Sequence, residues 1–170
     1  EPGWINEDGS LSSFPFGGVR GFIGESLENA EVRAWVGEDT VVRIEEIVKV
    51  QSGRLEELES DSRLVHGDFN PTNILIGGDA VSAVLDWEYS HSGTPYMDIG
   101  NLLRHTPAAY HRQIKTGLEA GGMSVPDDWM ERAELVDLTS HLEFLTSRRS
   151  DAFKRQCVAR VHRFTERFAG

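Results

Sequence analysis

Residues 64–87 read LVHGDFNPTNILIGGDAVSAVLDW, and this stretch decides the fold. Two short apolar runs, residues 73–76 and 80–85, flank a Gly-Gly-Asp turn at 77–79, a pattern that predicts a β-hairpin. A polar loop precedes the hairpin. Folding of the hairpin would bring three polar residues to one edge: Asp68, Asn73 and Asp86.

These polar residues are of the kind that phosphoryl transfer requires. The reaction needs a carboxylate that orients or deprotonates the attacking hydroxyl, together with oxygen ligands for Mg²⁺. His66-Gly67-Asp68 followed by Asn73 matches the kinase pattern His-x-Asp-x-x-x-x-Asn, in which Asp is the base and Asn binds metal. Asp86 stands where the Asp of the kinase Asp-Phe-Gly motif stands. Singly, these would be ordinary turn and cap residues. Together and in this order, they favour a catalytic site.

The segments HGDFNPTNIL and VLDWEYSHSGTPYMDIGNLLR resemble the carboxy-terminal lobe of the aminoglycoside phosphotransferase family, small-molecule kinases with a protein-kinase-like fold. The resemblance implies that Asp68 is the catalytic base, and that Asn73 and Asp86 bind Mg²⁺ and, through it, the nucleotide. It also implies that His66 completes the catalytic pair by bracing the loop. Asp98 would anchor that loop from beneath.

The sequence departs from the protein kinases in ways that bear on substrate and organisation. Gly67 replaces the Arg of His-Arg-Asp, and no Ala-Pro-Glu segment follows, so we expect a small-molecule acceptor. The Gly-rich residues 17–24 lack Gly-x-Gly-x-x-Gly spacing and predict a loop that leads into a helix, while Lys49 lies in a helical pattern. Because the chain begins at Glu1 rather than Met, we expect a processed, truncated or excised product. Its 170 residues are long enough for one well-packed domain, so we expect 1–170 to be a single domain. It would be the catalytic and substrate-binding lobe, inactive alone because the nucleotide-binding amino-terminal lobe is missing.

The rest of the chain predicts an α+β, mainly helical fold: a kinase-like carboxy-terminal lobe in which a small hairpin carries the catalytic loop. Residues 1–16 are rich in Gly, Pro and Ser and predict a loop facing the substrate side. Gly53 is expected to interrupt the chain, and residues 88–95 are turn-rich. Asp39 or Thr40 is expected to cap the second helix. The predicted helices are 25–36, 39–50, 96–104, 108–120, 127–147 and 150–168.

Composition limits the classes of partner. The net charge of −11 argues against nucleic acid or an anionic membrane surface. The acidic excess is most simply a solvated helix face, and an acidic surface would also favour a cationic substrate. No apolar run approaches the roughly 20 residues that a membrane helix needs. The single Cys157 rules out an internal disulfide and fits a reducing compartment, so a cytoplasmic location is expected.

We therefore expect a phosphotransferase that moves the γ-phosphate of ATP or GTP, with Mg²⁺, to an alcohol group of an aminoglycoside-like small molecule. An alternative is a non-catalytic module that binds a ligand or partner. Self-association of such a module could cover the apolar face that the missing lobe would otherwise bury. A metal-dependent phosphohydrolase using His66, Asp68 and Asp86 is a third hypothesis, although Asn73 and the strand order fit a kinase better. The acceptor stays open among aminoglycoside, macrolide, choline-like alcohol, amino acid and sugar.

Overall fold

Helices make up most of the chain in the computed structural model, which describes residues 1–168. This confirms the mainly helical fold expected from the sequence. The helices are α1 Val19–Glu28, α2 Ala30–Val36, α3 Glu38–Val50, α4 Ser52–Ser60, α5 Tyr96–His105, α6 His111–Ala120, α7 Trp129–Thr146 and α8 Asp151–Phe168. The strands are β1 Gly3–Ile5, β2 Leu11–Ser13, β3 Arg63–Val65, β4 Ile74–Gly77, β5 Ala80–Val84 and β6 His91–Gly93.

The predicted hairpin is confirmed as the antiparallel pair β4 and β5. The register runs from Ile74 opposite Val84 to Gly77 opposite Ala80, with an irregularity between Leu75 and Ile76. Asn73 was expected to begin the first strand but instead ends a 3₁₀ turn, Pro71–Asn73. The cause is local, because Pro at the start of a turn is preset for helical φ and the Asn70 side chain accepts the N–H of Thr72.

A second sheet, in the order β2-β1-β6-β3, was not expected from the sequence. The prediction of a loop over residues 1–16 is wrong there, since β1 pairs antiparallel with β2 and also meets β6. Residues 88–95 likewise contain β6, which pairs with β3 from Arg63 opposite Gly93 to Val65 opposite His91. Strands of three residues are too short to show an alternating pattern, so only their partners reveal them. β3 leads directly into the catalytic loop.

Two helix predictions also need correction. The single helix expected over 25–36 is two helices, divided at Asn29, where the backbone is extended and the side chain caps α2 by accepting the N–H of Glu31. The first of them, α1, already begins at Val19, so the loop predicted over residues 17–24 is wrong from that residue onward. Gly53 does not interrupt the chain but lies inside α4. α3 forms as predicted, although Gly37 rather than Asp39 or Thr40 occupies its N-cap position. The expected helices in the second half of the chain are confirmed as α5, α6, α7 and α8.

The hydrophobic core is centred on α7. This helix packs against α1, α2, α5 and α8, and Leu135, Leu138, Leu142 and Leu145 on it are almost wholly buried. Cys157 on α8 is buried in the same core as a free thiol. Within residues 1–168, no helix is both long and apolar enough to cross a membrane.

Candidate active site

The predicted catalytic loop, residues 66–73, follows β3 and is held to the hairpin by His66, which is 2% exposed. The His66 Nδ1 atom accepts the backbone N–H of Asp68 at 3.2 Å, so the ring carries its proton on Nε2 and donates it to the Leu85 carbonyl at 2.7 Å. Both ring nitrogens are therefore engaged with backbone. His66 thus connects the loop to the residue just before Asp86, which is the contact of a positioning residue.

Asp98, on α5, holds the same loop from the other side. Its Oδ2 accepts the N–H of His66 at 2.8 Å and its Oδ1 accepts the N–H of Gly67 at 2.9 Å. Asn101, one turn further along α5, donates to the Gly67 carbonyl at 3.2 Å. Burial raises the pKa of Asp98, opposed by the two backbone N–H groups. The structure thus places Asp98 beneath the loop, where the resemblance implied an anchor.

Gly67 is required for this loop conformation, a role that the sequence did not reveal. Its φ is +81°, in the left-handed region that favours glycine. A Cβ atom here would lie 2.4 Å from the carbonyl oxygen of Tyr89. The glycine therefore allows the loop to approach the segment after Asp86. The only signal in the sequence was a Gly where kinases carry Arg.

Asp68 and Asn73 lie in direct contact, as the hairpin prediction required. Asn73 Nδ2 donates to the Asp68 carbonyl at 2.9 Å and to Asp68 Oδ2 at 3.1 Å. Asn73 is buried, whereas Asp68 is partly exposed. Among residues 1–168, neither Asp68 Oδ1 nor Asn73 Oδ1 receives a hydrogen bond. One oxygen of each side chain is therefore free for a ligand.

Asp86 lies beside this pair. The N–H of Leu85 donates to the Asn73 carbonyl at 2.8 Å, which places Asp86 next to Asn73 at the end of the hairpin. Asp86 is exposed and has φ 64° and ψ 58°, the one non-glycine residue with positive φ in the described chain. Asp tolerates this conformation better than most residues, and strained backbone is concentrated at functional sites.

The donor set of this edge fits Mg²⁺. Mg²⁺ prefers oxygen ligands and binds through one or two protein groups together with water and phosphate oxygens. Asn73 Oδ1 and the Asp86 carboxylate are oxygen donors of this kind. In the described part of the chain, no group of three or more His, Cys, Asp or Glu residues could hold a metal ion.

Tyr89 and Glu143 lie within electrostatic reach of Asp68. Glu88 is the main cause of a raised Tyr89 pKa, with smaller effects of Glu143 and Asp68. Burial raises the pKa of Glu143 on α7, opposed by Arg104 and reinforced by Asp68. Sequence reasoning missed Glu143 because it lies on a distant helix with no motif around it.

Two cavities differ in their relation to this site. The first, about 300 Å³, is here named the aromatic pocket. It is bounded by the loop after β3, by the amino-terminal hairpin that β1 and β2 form, and by α1 and α7. Its walls include Trp4, Phe14, Phe16, Phe22, Gly67, Tyr89 and Glu143. The second, about 820 Å³, lies between α5, α7 and α8, and none of its lining residues belongs to the catalytic loop. We therefore relate only the aromatic pocket to the chemistry, despite its smaller volume.

Comparison with known proteins identifies the family and the fold of this chain. The model of the phosphotransferase enzyme family APH matches residues 12–135. The chain is also similar to solved structures of a thermostable mutant of aminoglycoside phosphotransferase APH(4)-Ia. To the apo form it is 20% identical with a TM-score of 0.57, covering 100% of this chain and 58% of that one. To a ternary complex with ADP and hygromycin B it is 20% identical with a TM-score of 0.58, covering 99% and 58%.

A third structure, a ternary complex with AMP-PNP and hygromycin B, is 21% identical with a TM-score of 0.57, again covering 100% of this chain and 58% of that one. At this level of identity the likeness shows a shared fold. The chain spans 58% of the length of each of these proteins. No curated protein sequence matches it significantly.

Proposed function

Because this chain belongs to the phosphotransferase enzyme family, we propose that it is the catalytic lobe of a small-molecule kinase. The reaction would transfer the γ-phosphate of ATP or GTP to a hydroxyl group of a small acceptor. The observation that carries this proposal is the meeting of Asp68, Asn73 and Asp86 at one hairpin edge, with oxygen atoms free on Asp68 and Asn73.

Asp68 has the geometry of a base. Its Oδ2 is held by Asn73, so its other oxygen, Oδ1, is oriented and available to accept the proton of an acceptor hydroxyl. His66 and Asp98 fix the backbone of the loop on either side, which limits the motion of Asp68. Asn73 Oδ1 and the Asp86 carboxylate would hold Mg²⁺, which when bound would offset the charge of the transferred phosphoryl group.

We further propose that residues 1–170 form one domain that requires a nucleotide-binding lobe for turnover. The chain spans 58% of the similar solved structures. Several apolar side chains of the hairpin and the strand before the loop are exposed, and such a surface is suited to cover by another domain. They are Leu64 at 63%, Leu75 at 46%, Ile76 at 65% and Val81 at 60%.

The ligands of the similar structures support the choice of substrates. ADP and AMP-PNP occupy two of those structures together with hygromycin B. We propose an adenine or guanine nucleotide and a hydroxylated acceptor for this chain. The acidic net charge of −11 favours an acceptor that carries positive charge.

The proposal is tested first by calorimetric titration of the chain with Mg²⁺-ATP and Mg²⁺-GTP. Asp86→Asn is the matched variant, because Asn also tolerates positive φ while the substitution removes the charge. We expect the variant to bind Mg²⁺-nucleotide at least about tenfold more weakly. Equal affinity of the parent chain and the variant for Mg²⁺-nucleotide would show that Asp86 is not a ligand. If neither protein binds nucleotide, the assay is repeated in a protein that includes a nucleotide-binding lobe.

Turnover is then measured in that longer protein with Asp68→Asn, which preserves the shape of the side chain. We expect a loss of about 10²–10⁴-fold in kcat, because Asn cannot accept the hydroxyl proton. Circular dichroism and unfolding curves should match those of the parent protein. Full turnover in the variant would show that Asp68 is not the base, and would favour the alternative of a non-catalytic binding module.

A further inference from the structure

The aromatic pocket adjoins the residue that precedes the candidate base. Gly67 lines it, and the Tyr89 carbonyl oxygen lies so close to Gly67 that no side chain fits between them. Tyr89 itself forms another part of the wall. A molecule in this cavity would therefore lie beside the catalytic loop, on the side bounded by α7.

One wall of the pocket is a continuous row of aromatic rings. Trp4 meets Phe14 edge to face with ring centroids 4.8 Å apart, and Phe14 stacks on Phe16 at 5.0 Å. Phe16 in turn meets Phe22 edge to face at 5.1 Å. Aromatic faces attract apolar groups and, through the ring quadrupole, cations. The amino-terminal hairpin contributes to this row through Trp4.

Three polar groups of the pocket are already bonded within the protein. Glu59 accepts the N–H of Val19 at the start of α1. The Thr139 hydroxyl donates to the Val136 carbonyl at 2.7 Å. The His91 Nδ1 atom is paired with the Tyr89 carbonyl at 2.8 Å.

Glu143 is the exception among the acids of the pocket. Its carboxylate makes no hydrogen bond or ion pair with residues 1–168, although it lines the cavity. Although the residue is exposed, desolvation of its carboxylate raises its pKa, opposed by Arg104 and reinforced by the nearby charge of Asp68. A bound cation would offset the repulsion between these two carboxylates.

We propose that the aromatic pocket is the acceptor site and that its acceptor is an alcohol with one alkylated ammonium group and an apolar body. The ammonium group would lie between Glu143 and the rings, with its hydroxyl directed toward Asp68. A polyamino sugar carries many donors and acceptors, and burying them without partners costs free energy. This inference rests on the proposed function, because it assigns a substrate class to the same site.

The test is calorimetric titration of the chain, without nucleotide, with choline, its N-benzyl analogue and 3,3-dimethyl-1-butanol. The last compound is the neutral isostere of choline, so it isolates the contribution of the charge. We expect the ammonium compounds to bind at least tenfold more tightly than the isostere, and the benzyl analogue more tightly than choline. Hygromycin B should not displace them.

Two variants locate the binding. Glu143→Gln should reduce the affinity for choline to that for the isostere, and Phe16→Leu should weaken the benzyl analogue most. Glu46→Gln, an exposed carboxylate on α3, is the control and should leave all affinities unchanged. Equal binding of choline and its isostere, tighter binding of hygromycin B, or no binding of any ammonium compound at millimolar concentration would each overturn the proposal.

Failure of this inference can be told apart from failure of the proposed function. Binding is measured without nucleotide and does not require transfer, so it tests the pocket independently of the kinase reaction. Glu143-dependent binding without phosphorylation in a longer protein would leave the pocket assigned and contradict the kinase reaction. Phosphorylation of hygromycin B but of no ammonium alcohol would support the kinase reaction and contradict the assignment of the pocket.

Discussion

The Oδ1 atom of Asp98 accepts a hydrogen bond from the backbone N–H of Gly67 at 2.9 Å, across 31 positions of sequence. The other oxygen of the same carboxylate accepts the N–H of His66. One side chain on α5 therefore holds both residues that precede Asp68. Asp98 thus ties the loop to α5, so the position of Asp68, the proposed base, depends on a helix outside the motif.

Asp98→Asn should destabilise the protein and disorder the loop. An amide offers one acceptor oxygen, so one of the two buried N–H groups would face the amide NH₂ group and lose its partner. We expect a loss of about 1–3 kcal/mol in the free energy of unfolding, measured by urea denaturation. Asp79→Asn, in the exposed hairpin turn, should change it by less than about 0.5 kcal/mol. Equal losses in the two variants would contradict the anchoring role.

Gly67→Ala and Gly78→Ala separate backbone strain from steric collision. Both glycines have positive φ, +81° and +64°, but an added Cβ meets the Tyr89 carbonyl oxygen only at Gly67. Gly78→Ala should cost roughly 1–2 kcal/mol of stability from strain alone. Gly67→Ala should cost about 1–3 kcal/mol more. Urea denaturation of both variants checks this, and similar losses would show that the loop moves to relieve the contact.

Gly100→Ala should weaken the crossing of α5 and α7. A Cβ at Gly100 would lie 2.9 Å from Asp137 Cβ and 3.0 Å from the Ala133 carbonyl oxygen. We expect a loss of about 1–3 kcal/mol from overpacking. Gly24→Ala, in α1 with open space around it, should instead gain about 0.5–1 kcal/mol from helix propensity. Thermal melts should shift in opposite directions, and a stabilised Gly100→Ala would contradict the close crossing.

The buried Asp137 should make stability depend on pH in the acid range. Burial alone would raise its pKa, but hydrogen bonds and charge from His141 and Arg104 outweigh it and lower the pKa from 3.8 to about 2. The unfolded chain therefore binds this proton more tightly. The stabilisation is fully present above pH 3.8 and is lost as the pH falls toward 2.

Asp137→Asn tests this loss of stability between pH 3.8 and pH 2. The variant should be less stable than the parent near pH 6, because Arg104 loses its buried partner. The gap should narrow by on the order of 2 kcal/mol between pH 5 and pH 2, as the parent takes up the proton. Asp127→Asn, a fully exposed carboxylate, should show no such narrowing. A constant gap across the range would mean that the pKa of Asp137 is not lowered by folding.

Much of this fold could be predicted because its signals are local. The hairpin followed from two apolar runs around a Gly-Gly-Asp turn, and α3, α5, α7 and α8 followed from apolar residues at helical spacing. The second sheet could not be predicted, since β1, β2, β3 and β6 are three residues long and are stabilised by partners distant in sequence. The division at Asn29 was missed because the apolar pattern continues across it.

The amino-acid sequence by itself determined which residues are candidates for the site, since Asp68, Asn73 and Asp86 lie in one short stretch at the spacing of a kinase motif. Tertiary structure alone decided what surrounds them. Glu143 reaches the aromatic pocket from α7, and Gly67 must be glycine because Tyr89 folds back against it. The physical reason is that hairpins and helices depend on neighbours within a few residues. Pockets and steric limits arise only when segments far apart in sequence pack together.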